Sequence, residues 1–352
     1  MQNKTITIAI DAMGGDFGPQ SSVPGAALAL EQNPGLAFVF YGDESKIRFF
    51  LDQHADLKAV SSIVHTDKYI DGADKPSSAL RNGKGSSMRM AIEAVQEGKA
   101  GAVVSGGNTG ALMALAMVVL RILPGIHRPA LASVFPAIKG ETIMLDLGAN
   151  VLVDAQTLAH FAVMGAVFAK ARNGLENPTV GLLNVGTEDT KGPDHVRGAA
   201  AILSRVDLPG NYIGFVEGTD ITAGRDVDVI VCDGYVGNIA LKAVEGVGKM
   251  SGRFFKDALS ANLLSKMGGL LAYFSLKKFK KRVDPRLYNG GVFLGLGGVC
   301  VKSHGGSDAI GFSSAVLMAA RLAREGYVQR VADEVQKLNA QETFLAQSVM
   351  EG

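Results

Sequence analysis

Six short polar stretches carry the side chains and glycines best suited to chemistry: 11–16 (DAMGGD), 105–110 (SGGNTG), 146–150 (DLGAN), 184–192 (NVGTEDTKG), 233–238 (DGYVGN) and 302–306 (KSHGG). The second is the most telling. Residues 102–104 (AVV) read as the end of a buried strand, 105–110 as a loop and 111–120 as a buried helix. A strand that feeds a glycine-rich loop into a helix leaves backbone N–H groups facing one point. The helix dipole adds partial positive charge there, which makes the loop a seat for an anion. Gly106 and Gly107 allow close backbone approach, and Asn108 and Thr109 either add side-chain donors or cap that helix. An ordinary strand-to-helix turn fits the same residues. In the first stretch Asp11 and Asp16 flank Gly14 and Gly15; the two carboxylates either hold a substrate group or orient a base, or they bond to the turn's own backbone.

The elements that position these loops alternate along the chain. Strand-like runs at 4–10, 36–41, 59–65, 130–135, 142–147, 179–184, 212–216, 227–232 and 298–302 join the central one at 102–104. Helix-like runs separate most of them: one starting at Pro24 after Ser21 and Ser22, then 44–53, 76–80, 86–97, 154–172, 195–205, and one that opens at 233–238 and reaches about 256. Helices at 309–325 and 328–339 finish the chain. This alternation predicts an α/β fold, three layers α/β/α around a largely parallel sheet. Ligands of such sheets bind beyond the carboxyl ends of the strands. The six polar loops are therefore expected on one rim, forming a single composite site.

Composition excludes several classes. A chain of 352 residues with 47% hydrophobic and 20% charged residues can bury a large core, and a formal net charge of +1 gives no reason to expect nucleic-acid binding. Cys232 and Cys300, the only cysteines, each sit in an apolar run and read as buried, inert thiols of a reduced compartment. The start of the chain lacks a signal-peptide core, and no apolar run spans a bilayer uninterrupted, so a cytoplasmic location is expected. The six histidines show no metal-ligand spacing. Asp16 inside the first glycine cluster would repel a pyrophosphate, and Pro19 delays the helix, so a dinucleotide loop is disfavoured. Residues 82–86 (NGKGS) lack the earlier glycine of a Walker A loop.

Taken in order and spread from Asp11 to Gly306, DAMGGD, SGGNTGAL, DLGAN, NVGTEDTKG, CDGYVGN and KSHGG resemble the bacterial phosphate acyltransferase family of phospholipid synthesis. The resemblance covers essentially the whole chain. It implies a fold similar to isocitrate and isopropylmalate dehydrogenases and to phosphate acetyltransferase, with 1–340 as a single catalytic unit. It also implies a homodimer that converts acyl-(acyl carrier protein) and inorganic phosphate into acyl phosphate and free carrier. An acyl phosphate-using glycerol-3-phosphate acyltransferase would act next. Phosphate is itself the nucleophile, so no cofactor, metal or enzyme nucleophile is needed, and positioning with preorganised dipoles should dominate.

On this reading Gly107, Asn108, Thr109 and Gly110 seat phosphate, with Asp11, Gly14, Gly15, Asp16, Asp146, Asn150 and Glu188 also around the substrates. Lys191 supplies a mobile cation to phosphate or to the oxyanion; a surface lysine is the plainer alternative. His304 donates a proton to the leaving sulfur or binds phosphate, unless a structural hydrogen bond fixes it. Asp233 and Asn238 would orient acid–base partners, while Asn150 is equally suited to cap the next helix.

One further stretch stands apart. In 262–283, Leu263, Leu264, Met267, Leu270, Leu271 and Phe274 share one helical face, followed by Lys277, Lys278, Lys280, Lys281 and Arg282. An apolar face beside a basic cluster suits peripheral association with an anionic membrane, an acyl-chain entrance, docking of an acidic carrier protein, or packing across a dimer. Gly268-Gly269 weakens the helix and predicts a hinged hairpin projecting at about 258–284. A phosphotransacylase using coenzyme A thioesters, a dehydrogenase on the same fold and a non-catalytic membrane scaffold are the competing readings.

Overall fold

In the first strand, β1 (Ile6–Asp11), Ile8 and Ile10 face one apolar cluster while Ala9 faces another, and all three are fully buried. A strand buried on both faces must lie between two layers of helices. The computed structural model describes residues 5–224, 227–282 and 284–350, excepting the side chains of 280, 281, 345, 346 and 348–350. From β1 the chain passes through α1 (Pro19–Gln32), β2 (Leu36–Gly42), α2 (Glu44–Leu51), α3 (Ala55–Ala59), β3 (Ser61–His65), α4 (Pro76–Asn82), α5 (Ser87–Gln96), β4 (Ala102–Ser105) and α6 (Thr109–Val119). A hairpin of β5 (Ala130–Ala137) and β6 (Gly140–Leu145) leads to α7 (Ala155–Asn173), β7 (Thr179–Leu183), α8 (Asp194–Leu203), β8 (Asn211–Val216), α9 (Asp220–Ala223) and β9 (Val229–Val231). Next come α10 (Gly234–Ser260), α11 (Leu263–Leu271) and α12 (Tyr273–Arg282). A short 3-10 turn (Pro285–Tyr288) then returns the chain to the first half, through β10 (Gly291–Leu294), β11 (Val299–Lys302), α13 (Ala309–Arg324) and α14 (Tyr327–Met350).

The eleven strands form one sheet in the order β3-β2-β1-β4-β11-β10-β5-β6-β9-β7-β8. Seven of its ten pairings among the described residues are parallel, so the sheet is largely parallel. The other three, β11–β10, β10–β5 and β5–β6, are antiparallel and adjacent at the centre. Three reversals leave β6, β9, β7 and β8 running opposite to β1, β2, β3, β4 and β11. The carboxyl ends of the two halves therefore belong to opposite edges of the sheet. This corrects the expectation of one rim: the loops after β1, β4 and β11 form one group, those after β6, β7 and β9 another.

On one face α1 packs against α13, and α7 against α8 and α14, over a continuous apolar cluster. α5 and α6 cover the other face of the first half, and α9 with the start of α10 covers that of the second. α7 is buried almost all round, as the mostly apolar and alanine run through its middle requires.

Several boundaries differ from expectation. α1 starts at Pro19, because Gly18 adopts φ 50° and delivers the proline to the first helical position, where its fixed φ suits the helix. Pro24 lies inside the helix instead of opening it. β3 starts two residues late because 55–59 closes a helical turn first, and α14 runs on to 350. β10, a four-residue strand between glycines, is too short to announce itself by alternation.

At Gly25 a Cβ would lie 2.8 Å from the Phe312 Cβ and 3.0 Å from the Ala309 carbonyl oxygen, so this glycine sets the α1–α13 distance. Gly25→Val should lower unfolding free energy by about 1–3 kcal/mol through overpacking; an unchanged urea midpoint would show that the helices can part without cost.

Candidate active site

The first loop group is built on a buried carboxylate. Asp11, at the end of β1, accepts a 2.6 Å hydrogen bond from Ser105 Oγ at the end of β4, and Ser105 Oγ accepts the Gly107 amide at 3.0 Å. The other oxygen, Asp11 Oδ1, is buried without a hydrogen bond of ordinary geometry. Burial pushes the Asp11 carboxyl above its usual range, against the opposing pull of Ser105, Ser87 and the Met13 and Gly14 amides. Glycine is obligatory around it: a Cβ at Gly14 would meet Asp11 Oδ2 at 2.6 Å and the Gly107 nitrogen at 2.7 Å. Gly15 takes φ +92° with the Gly305 oxygen beside it, and the Asp16 amide donates to that oxygen at 2.9 Å. Asp16 itself is exposed.

Around α6 the structure separates two alternatives. Asn108 caps the helix, its Oδ1 accepting the Ala111 amide at 2.9 Å, and its Nδ2 donates to the carbonyls of Gly72 at 2.7 Å and Asp74 at 3.3 Å. Its side chain is thereby engaged as cap and clasp. Pro76 sits 2.8 Å from where a Gly110 Cβ would be, so 72–76 roof part of the helix end, while Thr109 stays exposed. The amides of Asn108, Thr109 and Gly110 form no hydrogen bond among the described residues. His304 is exposed; its Nδ1 accepts the Gly306 amide at 3.1 Å and its own amide donates to Asn289 Oδ1 at 2.9 Å.

The second group is held together by Asp146. Its Oδ1 accepts the amides of Leu131, Gly148 and Ala149, and its Oδ2 accepts the Asn150 amide and Asn150 Nδ2, at 2.7–3.2 Å. Burial raises the Asp146 carboxyl, and the donors of Ala149, Leu131 and Asn150 oppose the rise. Asn150 Nδ2 also donates to the Pro129 carbonyl at 2.7 Å. Asp146 and Asn150, expected beside substrate, are thus consumed in shaping the loop. α10 begins directly against it: a Cβ at Gly237 would lie 1.8 Å from the Asp146 carbonyl oxygen, which only glycine permits. Asp233 caps α10 through the Val236 amide at 2.8 Å and faces His195 Nε2 at 3.4 Å. The Asn238 side chain lies against Gly148 and makes no hydrogen bond among the described residues.

Lys191 is half exposed, and its Nζ meets Glu188 Oε1 at 2.6 Å. That hydrogen bond lowers the Glu188 carboxyl below its usual range and pairs it with the lysine. Asn184 holds the loop by donating from Nδ2 to the Lys191 carbonyl at 3.0 Å. Both thiols are buried; burial, with the charges of Asp146 and Asp233, drives the Cys232 thiol far up, and burial alone lifts Cys300 to about 12. No hydrogen bond or ion pair among the described residues joins the two groups.

Sequence reasoning passed over Lys302, Ser105, Asn184 and His195. Lys302 has a visible signal, a lysine closing an otherwise apolar strand (VCVK). The others depend on cross-strand partners that spacing does not reveal.

The arm projects further than expected. Residues 245–258 of α10 are already exposed, and Leu270, Leu271 and Phe274 are 75%, 88% and 82% exposed. Gly268 and Gly269 lie within α11; the breaks fall at Asn262, which caps α11, and at Ala272. Lys277 and Lys278 are exposed, whereas the side chains of Lys280 and Lys281, and Val283, lie outside the described residues. Arg282 is turned back, donating from Nη2 to the Ile138 carbonyl. No helix among the described residues is long and apolar enough to cross a membrane.

Residues 6–330 match the family described as "Fatty acid synthesis protein". A phosphate acyltransferase from Rhodospirillum centenum is 54% identical over 333 residues, 95% of this chain and 94% of that protein. The chain belongs to the phosphate acyltransferase family. It is an acyltransferase of fatty acid and phospholipid synthesis. The EutD phosphotransacetylase of Staphylococcus aureus superposes with TM-score 0.58 over 91% of this chain and 94% of its own, at 20% identity. A structure titled as a 4-hydroxythreonine-4-phosphate dehydrogenase from Salmonella typhimurium gives 0.51 over 91% and 99%, at 14% identity. These likenesses place the fold among the phosphotransacetylase and dehydrogenase-like α/β proteins.

Because folding raises the Asp11 pKa above the ordinary 3.8, the stability linked to this group is present below that value and lost as pH rises through the folded pKa. Asp11→Asn should therefore melt higher than the parent at pH 7, with the gap closing toward pH 4, while activity falls. A lower melting temperature at pH 7 would mean that the carboxylate is a net stabiliser.

Proposed function

We propose that this acyltransferase moves a fatty acyl group from acyl-(acyl carrier protein) to inorganic phosphate, giving acyl phosphate and free carrier. A phosphate oxygen attacks the thioester carbonyl, the new C–O bond forms, and the C–S bond breaks with its electron pair leaving on sulfur. The observation that carries this reading is the α6 N-terminus: three unpartnered amides at the positive end of a helix, beside loops locked by glycine contacts and by Ser105. Lys191 would neutralise phosphate or the oxyanion, released from Glu188 as the substrate arrives. His304 accepts a hydrogen bond at Nδ1, so its neutral ring carries the proton on Nε2, suitably held to protonate the departing thiolate. Asn238 and Asp233 orient the reacting groups. The two loop groups belong to opposite sheet edges, but a twist of about 20–25° per strand turns the halves of so wide a sheet steeply against each other, and this allows both to flank one cleft.

The chain acts as a homodimer at the cytoplasmic membrane surface. Val236, Ile239, Val247, Met250 and Phe254 make an exposed apolar stripe along α10, suited to a second copy. Leu270, Leu271 and Phe274 enter the lipid interface, with Lys277 and Lys278 on anionic headgroups or on the acidic carrier protein. The product is an acyl phosphate, fit for a glycerol-3-phosphate acyltransferase.

Incubation with labelled phosphate and acyl-(acyl carrier protein) should yield a hydroxylamine-sensitive product. Product formed only from acyl-coenzyme A would reassign the thioester, and none from either would refute the reaction. Lys191→Met should cut turnover by about 100-fold or more while leaving the fold intact; near-normal turnover removes Lys191 from the mechanism. Leu270→Glu with Phe274→Glu should release the protein from anionic vesicles yet spare a soluble short-chain assay, and undiminished vesicle binding would defeat the membrane role.

A further inference from the structure

Lys302 ends β11 directly beside Ser105 in the register of β4. Its Nζ donates to the Gly106 carbonyl at 3.1 Å and to the carbonyl of Ser303. Each of those carbonyls belongs to a peptide unit that leads into a functional loop. The Gly106–Gly107 unit points its C=O at Lys302 and, being planar and trans, its N–H the other way, onto Ser105 Oγ, which in turn donates to Asp11. The Ser303–His304 unit likewise gives its C=O to Lys302 and its N–H to Asn289. A partly buried ammonium and a buried carboxylate are thus joined through one peptide bond and one hydroxyl, with no direct ion pair among the described residues. Such a chain is mutually polarised and fixes the plane of every group in it.

We propose that Lys302 is a positioning residue of the acyl transfer, setting the two peptide planes that lead into the 108–110 amides and the His304 ring and so hold both toward phosphate. This rests on the assignment of that loop group to phosphate. A neutral side chain would leave both carbonyls without their cationic donor and free the Gly106–Gly107 and Ser303–His304 units to rotate. Burial brings the Lys302 pKa down to about 8 against the upward pull of Asp11 and Asp16, so the ammonium remains largely charged at neutral pH.

The test is a comparison of Lys302→Met, Lys302→Gln and Lys302→Arg with the parent. It uses steady-state kinetics in inorganic phosphate and in acyl thioester, together with the melting shift produced by inorganic phosphate alone. Lys302→Met should raise KM for phosphate about tenfold or more while changing KM for the thioester less than twofold, and should lose the phosphate-induced melting shift. Lys302→Arg, which keeps charge and donors, should recover most of the phosphate KM; Lys302→Gln, a donor without charge, should fall between and serves if the Met variant does not fold. Equal losses in kcat with both KM values unchanged, or an undiminished phosphate shift in the folded variants, would overturn the assignment to Lys302. A parent protein that shows neither turnover nor a phosphate shift would instead refute the phosphate reading of the loop group, and this inference with it.

Discussion

The antiparallel run of β10, β5 and β6 through the middle of the sheet is the constraint from which the rest follows. A strand can be hydrogen-bonded in either direction, but each reversal moves the carboxyl end of the next strand to the other edge. Three reversals in a row split a chain of alternating strands and helices into two parallel half-sheets of opposite sense. They also leave β10 and β11, late in sequence, inserted between strands of the first and middle parts. The consequence is functional, because the loops of glycine and polar residues are sorted into two groups of three.

Each group is organised around one buried carboxylate, and the two are satisfied differently. Asp146 is saturated by five donors from its own loop and the neighbouring strand, so it is an internal scaffold against which α10 can start at van der Waals contact. Asp11 has one short hydrogen bond, from Ser105, and one oxygen without a hydrogen bond of ordinary geometry, and Lys302 reaches it through Ser105 and a peptide unit. Incompletely paired buried charge costs stability.

The arm shows the opposite balance. Between 245 and 282 the chain places leucine, methionine and phenylalanine in solvent on helices that contact little else. Its base is tied to the β5–β6 hairpin by Arg282, whose own carbonyl accepts from the Tyr288 hydroxyl, so the projection is anchored where the two half-sheets meet. Exposed apolar surface of this extent is stable only against another surface, whether lipid or protein.

Much of this was legible in the residues themselves. Alternation and helical periodicity are local consequences of burial, so the α/β class, most elements and the loop motifs could be read without coordinates. Helix capping was legible at Asn108, where a cap was one of the two readings and the side chain acts as such. The direction of pairing was not legible, because a short apolar run such as β10 carries no mark of its neighbour's sense. Nor were the partners of Asp11 and Lys302, which are set by which groups neighbouring strands bring beside them. Residue type determined which side chains could bind an anion, carry a proton or cap a helix. Only the tertiary structure decided which of them were already spent on the protein's own backbone, since a hydrogen bond made inside the fold is no longer available to a substrate.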